Sequence, residues 1–285
     1  MEDGGYPIMK TRRFADDIIR LLIIVLMTMM FVYPFWWMIV NSLNKSTEIF
    51  GKPKFLPTSW QFSNYVEIFK VQPFGRHYLN TLLVAAVGTI GNILVSSLSG
   101  YAFARLEFPG REAFFLLLLT AMMMPIEVTI IPMFFQMQKL GFNDSLIPLM
   151  LIPIFCSQGA FSAFMFRQHY ITVPKELDEA ARIDGLSPIA IYFRIMFPLA
   201  KPIIASAGIL AFLSVWNMYL EPLVFVSSLK NFTLPLSLAN FNDSYGLPQW
   251  HLQLAATTLS VLPVMVVYLI FQEKISDAMV NSGMK

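Results

Sequence analysis

The chain has 285 residues, of which 56% are hydrophobic and only 13% charged, with a net charge of +2. That balance is too apolar for a soluble core of this size and excludes a nucleic-acid-binding surface or an acidic or basic tail as the organising feature. A single cysteine, Cys156, excludes an internal disulfide and reads as a small buried side chain.

In chain order, the first apolar run is 21–40, preceded by Lys10, Arg12, Arg13 and Arg20. Its full spanning length, with no small-residue cleavage site after it, predicts an uncleaved first helix. A connection over 41–77 follows, then apolar runs at 81–104, 145–166 and 252–271, each free of charge and near the ~20 residues that cross a bilayer. Runs 113–135 and 203–226 are equally apolar but each contains one carboxylate, Glu127 and Glu221. The prediction is an all-α polytopic membrane protein of six helices in one domain, 1–285. Its longest remaining connections are 167–201 and 227–250.

Orientation follows from the basic residues, which are enriched in cytoplasmic loops. With the N-terminus inside, 13 Lys and Arg fall inside and 7 outside, five of those seven in the 41–77 loop. Both termini are therefore expected in the cytoplasm, with the 167–201 loop on the same side.

Helix 81–104 carries Gly88, Gly91, Ser96, Ser97, Ser99 and Gly100, small residues that let backbones approach closely, so it is expected at the centre. Prolines 34, 125, 132, 148, 153, 222 and 263 interrupt the spans. Such breaks survive in a membrane where protein or water satisfies the freed backbone, and they are also simply common in spanning helices. Met122, Met123 and Met124 suit flexible core filling or part of a gate. Trp36, Trp37, Trp60 and Trp250 read as interfacial anchors.

The three histidines have no ligand partners at metal spacing. There is no nucleophile elbow and no P-loop, since Gly51-Lys52 runs into Pro53. No catalytic residues are therefore assigned and no enzyme is expected. Glu127, beside Pro125, is expected to serve broken backbone or a neighbouring helix. Glu221, with Trp216, Asn217 and Tyr219, reads either as a polar and aromatic pathway lining or as an interfacial cluster wetted from outside.

The 167–201 loop is the most informative segment. Pro174 suits a first helical turn, Glu176, Asp178 and Glu179 favour its N-terminal end, and Asp184-Gly185 supplies a left-handed stop. Ser187-Pro188 then opens a second helix as N-cap and first position. On the first helix Leu177, Ala180, Ala181 and Ile183 are expected along one side, where small alanines admit another surface.

These residues resemble the membrane permeases of binding-protein-dependent ABC importers, in the carbohydrate branch. That family's loop motif is Glu-Ala-Ala, three residues, Gly, nine residues, then Ile, any residue, Leu, Pro. Here it reads Glu179, Ala180, Ala181, Gly185, Ile195, Phe197, Pro198, with Phe for Leu as the one departure. Further similarity lies in Tyr101-Ala-Phe-Ala-Arg105, Phe108-Pro-Gly110, Ile131-Pro132, Trp216-Asn217 and Thr233-Leu-Pro235.

The resemblance implies a type I importer permease fold in a bacterial or archaeal cytoplasmic membrane. The loop is then a coupling helix for a cytoplasmic ATPase, with Glu179 pairing to a basic group there and Gly185 making the bend. Implied partners are a second permease, two copies of the ATPase subunit, an extracytoplasmic sugar-binding protein and membrane lipid. ATP and Mg would be bound by the ATPase, with no cofactor in this chain. The segment with Asn240, Asn242, Asp243 and Tyr245 would reach into the binding protein, against an ordinary polar turn as the plain reading. The tail, 276–285, resembles tails that insert between ATPase subunits. The substrate implied is a sugar, a di- or oligosaccharide. The alternative is an ion-coupled secondary transporter or channel using Glu127 or Glu221.

Overall fold

The computed structural model describes residues 7–52, 54–242 and 245–283, with side chains placed for 16–52, 54–242 and 245–272. These residues are helical and contain no strand; an isolated bridge joins Asn242 and Pro248. Four helices are long and apolar enough to cross a membrane, and two bent helix pairs bring the number to six if each pair is one span. The chain divides into two compact units, one holding residues up to 68 with 241–259, the other 69–240 with 260 onward.

In the first unit, α1 (Pro7–Ser42) is a continuous helix despite Pro34. From Asp16 to Trp36 every side chain is exposed, so among the described residues nothing covers this apolar helix, and it needs lipid or another subunit. The following loop is held by hydrogen bonds. Asn64 Nδ2 donates to the carbonyls of Ser42 at 2.8 Å and Asn44 at 3.0 Å, and Thr58 N–H donates to Asn44 Oδ1 at 2.8 Å. Trp36 Nε1 donates to the Phe55 carbonyl at 2.9 Å, so this tryptophan ties down the loop as well as sitting near a span end. The loop is shorter than expected because α2 (Asn64–Val71) forms inside it and α3 (Phe74–Arg105) starts seven residues before the charge-free run.

The second unit is built on α3. After it come α4 (Arg111–Met123), α5 (Ile126–Lys139), α6 (Ile147–Phe155) and α7 (Ser157–Thr172), of which α6 and α7 pack on it most extensively. The expected continuous run 113–135 is broken: α4 and α5 meet at 102°. Pro125 has no N–H to continue the ladder and forces Met124 into extended backbone, ψ 121. Met123 and Met124 are exposed at this corner, so they do not fill this chain's own core.

Run 145–166 is also interrupted, at Cys156, which is neither helical nor mid-span packing (φ −103, ψ −154). Gly159 allows the break, since a Cβ there would lie 2.0 Å from the Ile154 carbonyl oxygen. α3 serves both sides of the break: Asn92 Nδ2 donates to Pro153 O, which the break releases, at 2.6 Å, and Ser96 Oγ to Gly159 O in the first turn of α7 at 2.9 Å. The small residues expected to make α3 central do so. A Cβ on Gly100 would meet Phe166 Cβ at 2.6 Å and the Arg167 nitrogen at 2.8 Å, and one on Gly91 would meet Ile154 at 2.3 Å.

Within the 167–201 loop, α8 (Glu176–Ile183), α9 (Pro188–Ile191) and α10 (Phe197–Leu199) lead into α11 (Lys201–Trp216) and α12 (Leu220–Phe225). Run 203–226 is therefore not one helix: it stops after Trp216 and resumes at Leu220. α13 (Leu234–Leu238) follows, and α14 (Trp250–Gly283) closes the chain.

At the end of the bundle where α3 begins, two polar clusters fasten the connections, the first of them buried. His77 bridges Ser237 Oγ at 2.8 Å and the Leu229 carbonyl at 2.7 Å. Asp144, in the left-handed region at φ +47, accepts the N–H groups of Ser227 and Ser228, each at 2.9 Å, and the Ser228 hydroxyl. Ser228 Oγ–H first, then its backbone N–H, holds the Asp144 carboxyl well below the usual carboxylate range.

Two outcomes follow. Gly159→Ala should destabilise the protein by about 1–3 kcal/mol through overpacking, read as a lower thermal-shift midpoint in detergent. Because the folded Asp144 is more acidic than the unfolded one, its stabilisation is complete above about pH 4 and is lost as pH falls below that. Asp144→Ala should therefore speed amide exchange in 227–231 at pH 7, with the difference from wild type shrinking at acidic pH.

Candidate functional site

The loop between α7 and α11 is not a free excursion. Gly185 sits at φ +79 and ends α8, and the Ser187 hydroxyl caps α9 by accepting the Ala190 N–H at 3.3 Å, both as the sequence predicts. Pro174 instead lies outside the helix, which is capped at Lys175. After α9 the chain widens into a π-helical turn, Tyr192–Met196, an irregularity frequent at functional sites. The segment then bends by 79° into α11.

The expected apolar stripe on α8 splits into two faces. Ala181 and Asp178, three apart, turn inward and are buried, whereas Leu177, Ala180 and Ile183 are exposed, Ile183 at 86%. Glu179 is exposed beside Ala180. Ile189 and Phe193 add exposed apolar surface after the bend, Ile195 is half-buried and Pro198 exposed.

The inward face packs on a core of Tyr101 from α3, Phe166 and Tyr170 from α7, and Ile191, Tyr192 and Met196 from the loop. The Tyr101 ring lies edge-on to Tyr170 at 6.0 Å and tilted on Tyr192 at 5.4 Å. Ser97 Oγ and the Tyr192 hydroxyl share a hydrogen bond at 2.6 Å, and Tyr101 donates to the Pro188 carbonyl at 3.3 Å.

Arg105, the last residue of α3, completes the attachment. Its Nη1 pairs with Asp178 Oδ2 at 3.2 Å, the side chains only 4% and 9% exposed, and its Nη2 donates to the Val173 carbonyl. Burial pushes the Asp178 carboxyl up from its ordinary value, while the Arg105 and Arg182 guanidinium groups pull it back. Sequence reading missed this pair. Arg105 counted only towards orientation and Asp178 only as a helix-end charge; the signal available was a carboxylate three positions before buried Ala181 on one helical face.

The other candidate residues are more scattered. Trp216 is buried, stacked on Phe212 at 5.5 Å and edge-on to Tyr78 at 6.0 Å, so it shapes a wall without presenting a surface. Asn217 is exposed but its amide turns back to the Leu213 carbonyl at 2.8 Å. Tyr219 is exposed and Glu221 half-buried in the first turn of α12; Glu127, exposed in the first turn of α5, is near enough for the two charges to interact. Asn240 donates to Leu236 O at 2.7 Å and its carbonyl accepts Gln72 Nε2 at 2.7 Å. Asn242 and Tyr245 are exposed on either side of Asp243, which lies outside the described residues. Of the tail, Ser276 to Gly283 continue α14, with Met284 and Lys285 outside the described residues.

A polytopic bundle with a rigidly mounted two-helix loop at one end is the architecture of a transport permease. Residues 92–281 match the family of binding-protein-dependent transport system inner membrane components, and the chain belongs to that family. It is 33% identical to the arabinooligosaccharides transport system permease protein of Halalkalibacterium halodurans, over 89% of this chain and 91% of that one. It is 35% identical to the sn-glycerol-3-phosphate transport system permease protein of Pectobacterium atrosepticum, over 88% and 91%. Among solved structures, a chain of a bacterial ABC transporter involved in the import of the acidic polysaccharide alginate superposes with a TM-score of 0.79 at 23% identity. That match covers 94% of this chain and 99% of the other and establishes a shared fold. The chain is thus a multi-pass membrane permease subunit with the ABC-importer permease fold.

Because Ser97 Oγ keeps a second contact to the Leu94 carbonyl at 3.2 Å, Tyr192→Phe should cost only about 1 kcal/mol. Ser97→Ala strands the buried Tyr192 hydroxyl and should cost about 1–3 kcal/mol. Thermal-shift midpoints of the two purified variants check the order.

Proposed function

We propose that this chain is one of two permease subunits of an ATP-driven importer that takes up a sugar, a di- or oligosaccharide, delivered by an extracytoplasmic binding protein. The observation that carries the reading is the loop. Its buried face is fixed to α3 and α7, and its outward face presents Glu179, Ala180 and Ile183 at the end of the bundle. Such a surface suits a cleft in another protein, with Ala180 admitting close approach and Glu179 a basic partner. Two copies of a cytoplasmic ATPase subunit would bind ATP and Mg and press on this loop. Gly185 sets the angle between α8 and the second half of the loop, and Ile195 and Pro198 carry the chain from the π-turn into α11. Both termini would then be cytoplasmic, and α14 would run on towards the ATPases.

The sugar assignment is supported by relatives whose names specify arabinooligosaccharides and diacetylchitobiose. Asn217, Tyr219 and Glu221 would offer the pathway its polar groups and Trp216 its supporting wall. Asn240, Asn242, Asp243 and Tyr245 would meet the binding protein.

The test is expression with the proteins encoded beside it. Tandem purification should recover a second permease and an ATPase, and reconstituted uptake should require ATP. Glu179→Ala and Gly185→Val should each lower uptake at least tenfold with membrane content unchanged, the second because a β-branched residue is strained at φ +79. Uptake driven by an ion gradient without ATP would establish the rival, an ion-coupled transporter using Glu127 and Glu221.

A further inference from the structure

α3 lies at the centre of its unit yet is not continuous with the loop. α7 enters the loop and α11 leaves it, so any displacement of the loop reaches those two helices through the backbone. It can reach α3 only through side chains. Three residues of α3 make the polar connections: Ser97 and Tyr101 hold the second half of the loop, at Tyr192 and Pro188, and Arg105 holds α8 at Asp178 and the end of α7 at the Val173 carbonyl. Among the described residues the Arg105–Asp178 pair is the polar link between α3 and α8, the helix that carries Glu179 and Ala180.

The pair has an unusual form. It is nearly excluded from solvent and rests on a single Nη1–Oδ2 contact. Arg105 Nε and Asp178 Oδ1 are both buried without a hydrogen-bond partner among the described residues. A structural pair at such a site normally saturates its donors and acceptors, because each orphan is costly. The link between α3 and α8 therefore depends on that one contact, with the Val173 carbonyl as the guanidinium's other partner. The other charges near Asp178 are Arg182 and Glu179, both exposed on α8 itself and moving with it.

We propose that Arg105 and Asp178 are positioning residues that transmit displacement of the loop to α3, their buried ion pair fastening α8 to the end of that helix. Resting on the permease reading above, this adds an internal link to the contact with the ATPase. With both charges shielded from water, a displaced α8 carries its contact with Arg105 along, because breaking the pair would leave two buried charges uncompensated. α3 is then pulled with the loop, and its Asn92 and Ser96 carry the movement to the broken α6–α7 segment.

The test uses the whole importer in proteoliposomes, with binding protein and ATPase, and reads uptake and ATP hydrolysis in the same vesicles. Asp178→Asn and Arg105→Lys should each lower the sugar moved per ATP hydrolysed at least fivefold, with hydrolysis within about twofold of wild type and the complex intact. The double variant Arg105→Met/Asp178→Leu removes both charges, so neither is left unpaired. It should recover the thermal midpoint lost in the single variants but not the coupling ratio. Recovery of both midpoint and ratio in the double variant, or a wild-type ratio in the single ones, overturns the inference and leaves the permease reading standing. A wild-type complex that transports without hydrolysing ATP overturns the permease reading, and this inference with it.

Discussion

Lipid offers no hydrogen-bond donors, so a backbone carbonyl released by a broken helix has to be met by protein or water, and at the break between α6 and α7 it is α3 that meets the Pro153 carbonyl. Asn92 and Ser96 serve Pro153 and Gly159, and Gly91 and Gly100 bring the two backbones close enough for those short side chains to reach. A bulky α3 would hold α7 too far away, and an apolar one would leave the break unsatisfied. The small and the polar residues on this helix are therefore one device. Close approach makes the hydrogen bonds feasible, and the hydrogen bonds make the interrupted span tolerable.

The same helix organises the end of the bundle that carries the loop. Ser97, Tyr101 and Arg105 continue its polar face beyond the helix break and hold the loop at three points, around an aromatic core of Tyr101, Tyr170 and Tyr192. A short helix such as α8 has little stability alone, since isolated helices of this length do not persist in water. It is ordered because Ala181 and Asp178 are fixed from behind. The exposed residues on its other face are consequently presented in a defined orientation, which is what a docking element requires.

How much of this was legible in the sequence depended on the range of the interaction. The four charge-free spans, the Gly185 stop and the Ser187 cap are set within a few residues, and the structure reproduces them. The breaks were not readable from proline alone. Pro34, Pro132, Pro153 and Pro263 all lie inside helices, whereas Pro125 turns the chain by 102° and the stops at Cys156 and Asn217 involve no proline at the break. Whether a proline breaks a span is decided by what neighbours can supply, and for α6 and α7 those neighbours lie on α3. The Arg105–Asp178 pair was hidden for the same reason. Each residue had a sufficient local explanation, and the pairing exists only because the fold brings the end of α3 beneath α8.

The two carboxylates within expected spans also change meaning once the breaks are known. Each stands in the first turn of a half-helix, Glu127 in α5 and Glu221 in α12, where unpaired backbone N–H groups favour negative charge. Glu221 additionally accepts a hydrogen bond from its own backbone. A carboxylate so placed draws part of its stabilisation from the chain and has less need of a bound cation than one in mid-helix would have. That weakens the case for an ion site. The corners that interrupt these helices thus put two carboxylates at helix starts, where backbone N–H groups face them, instead of in mid-helix.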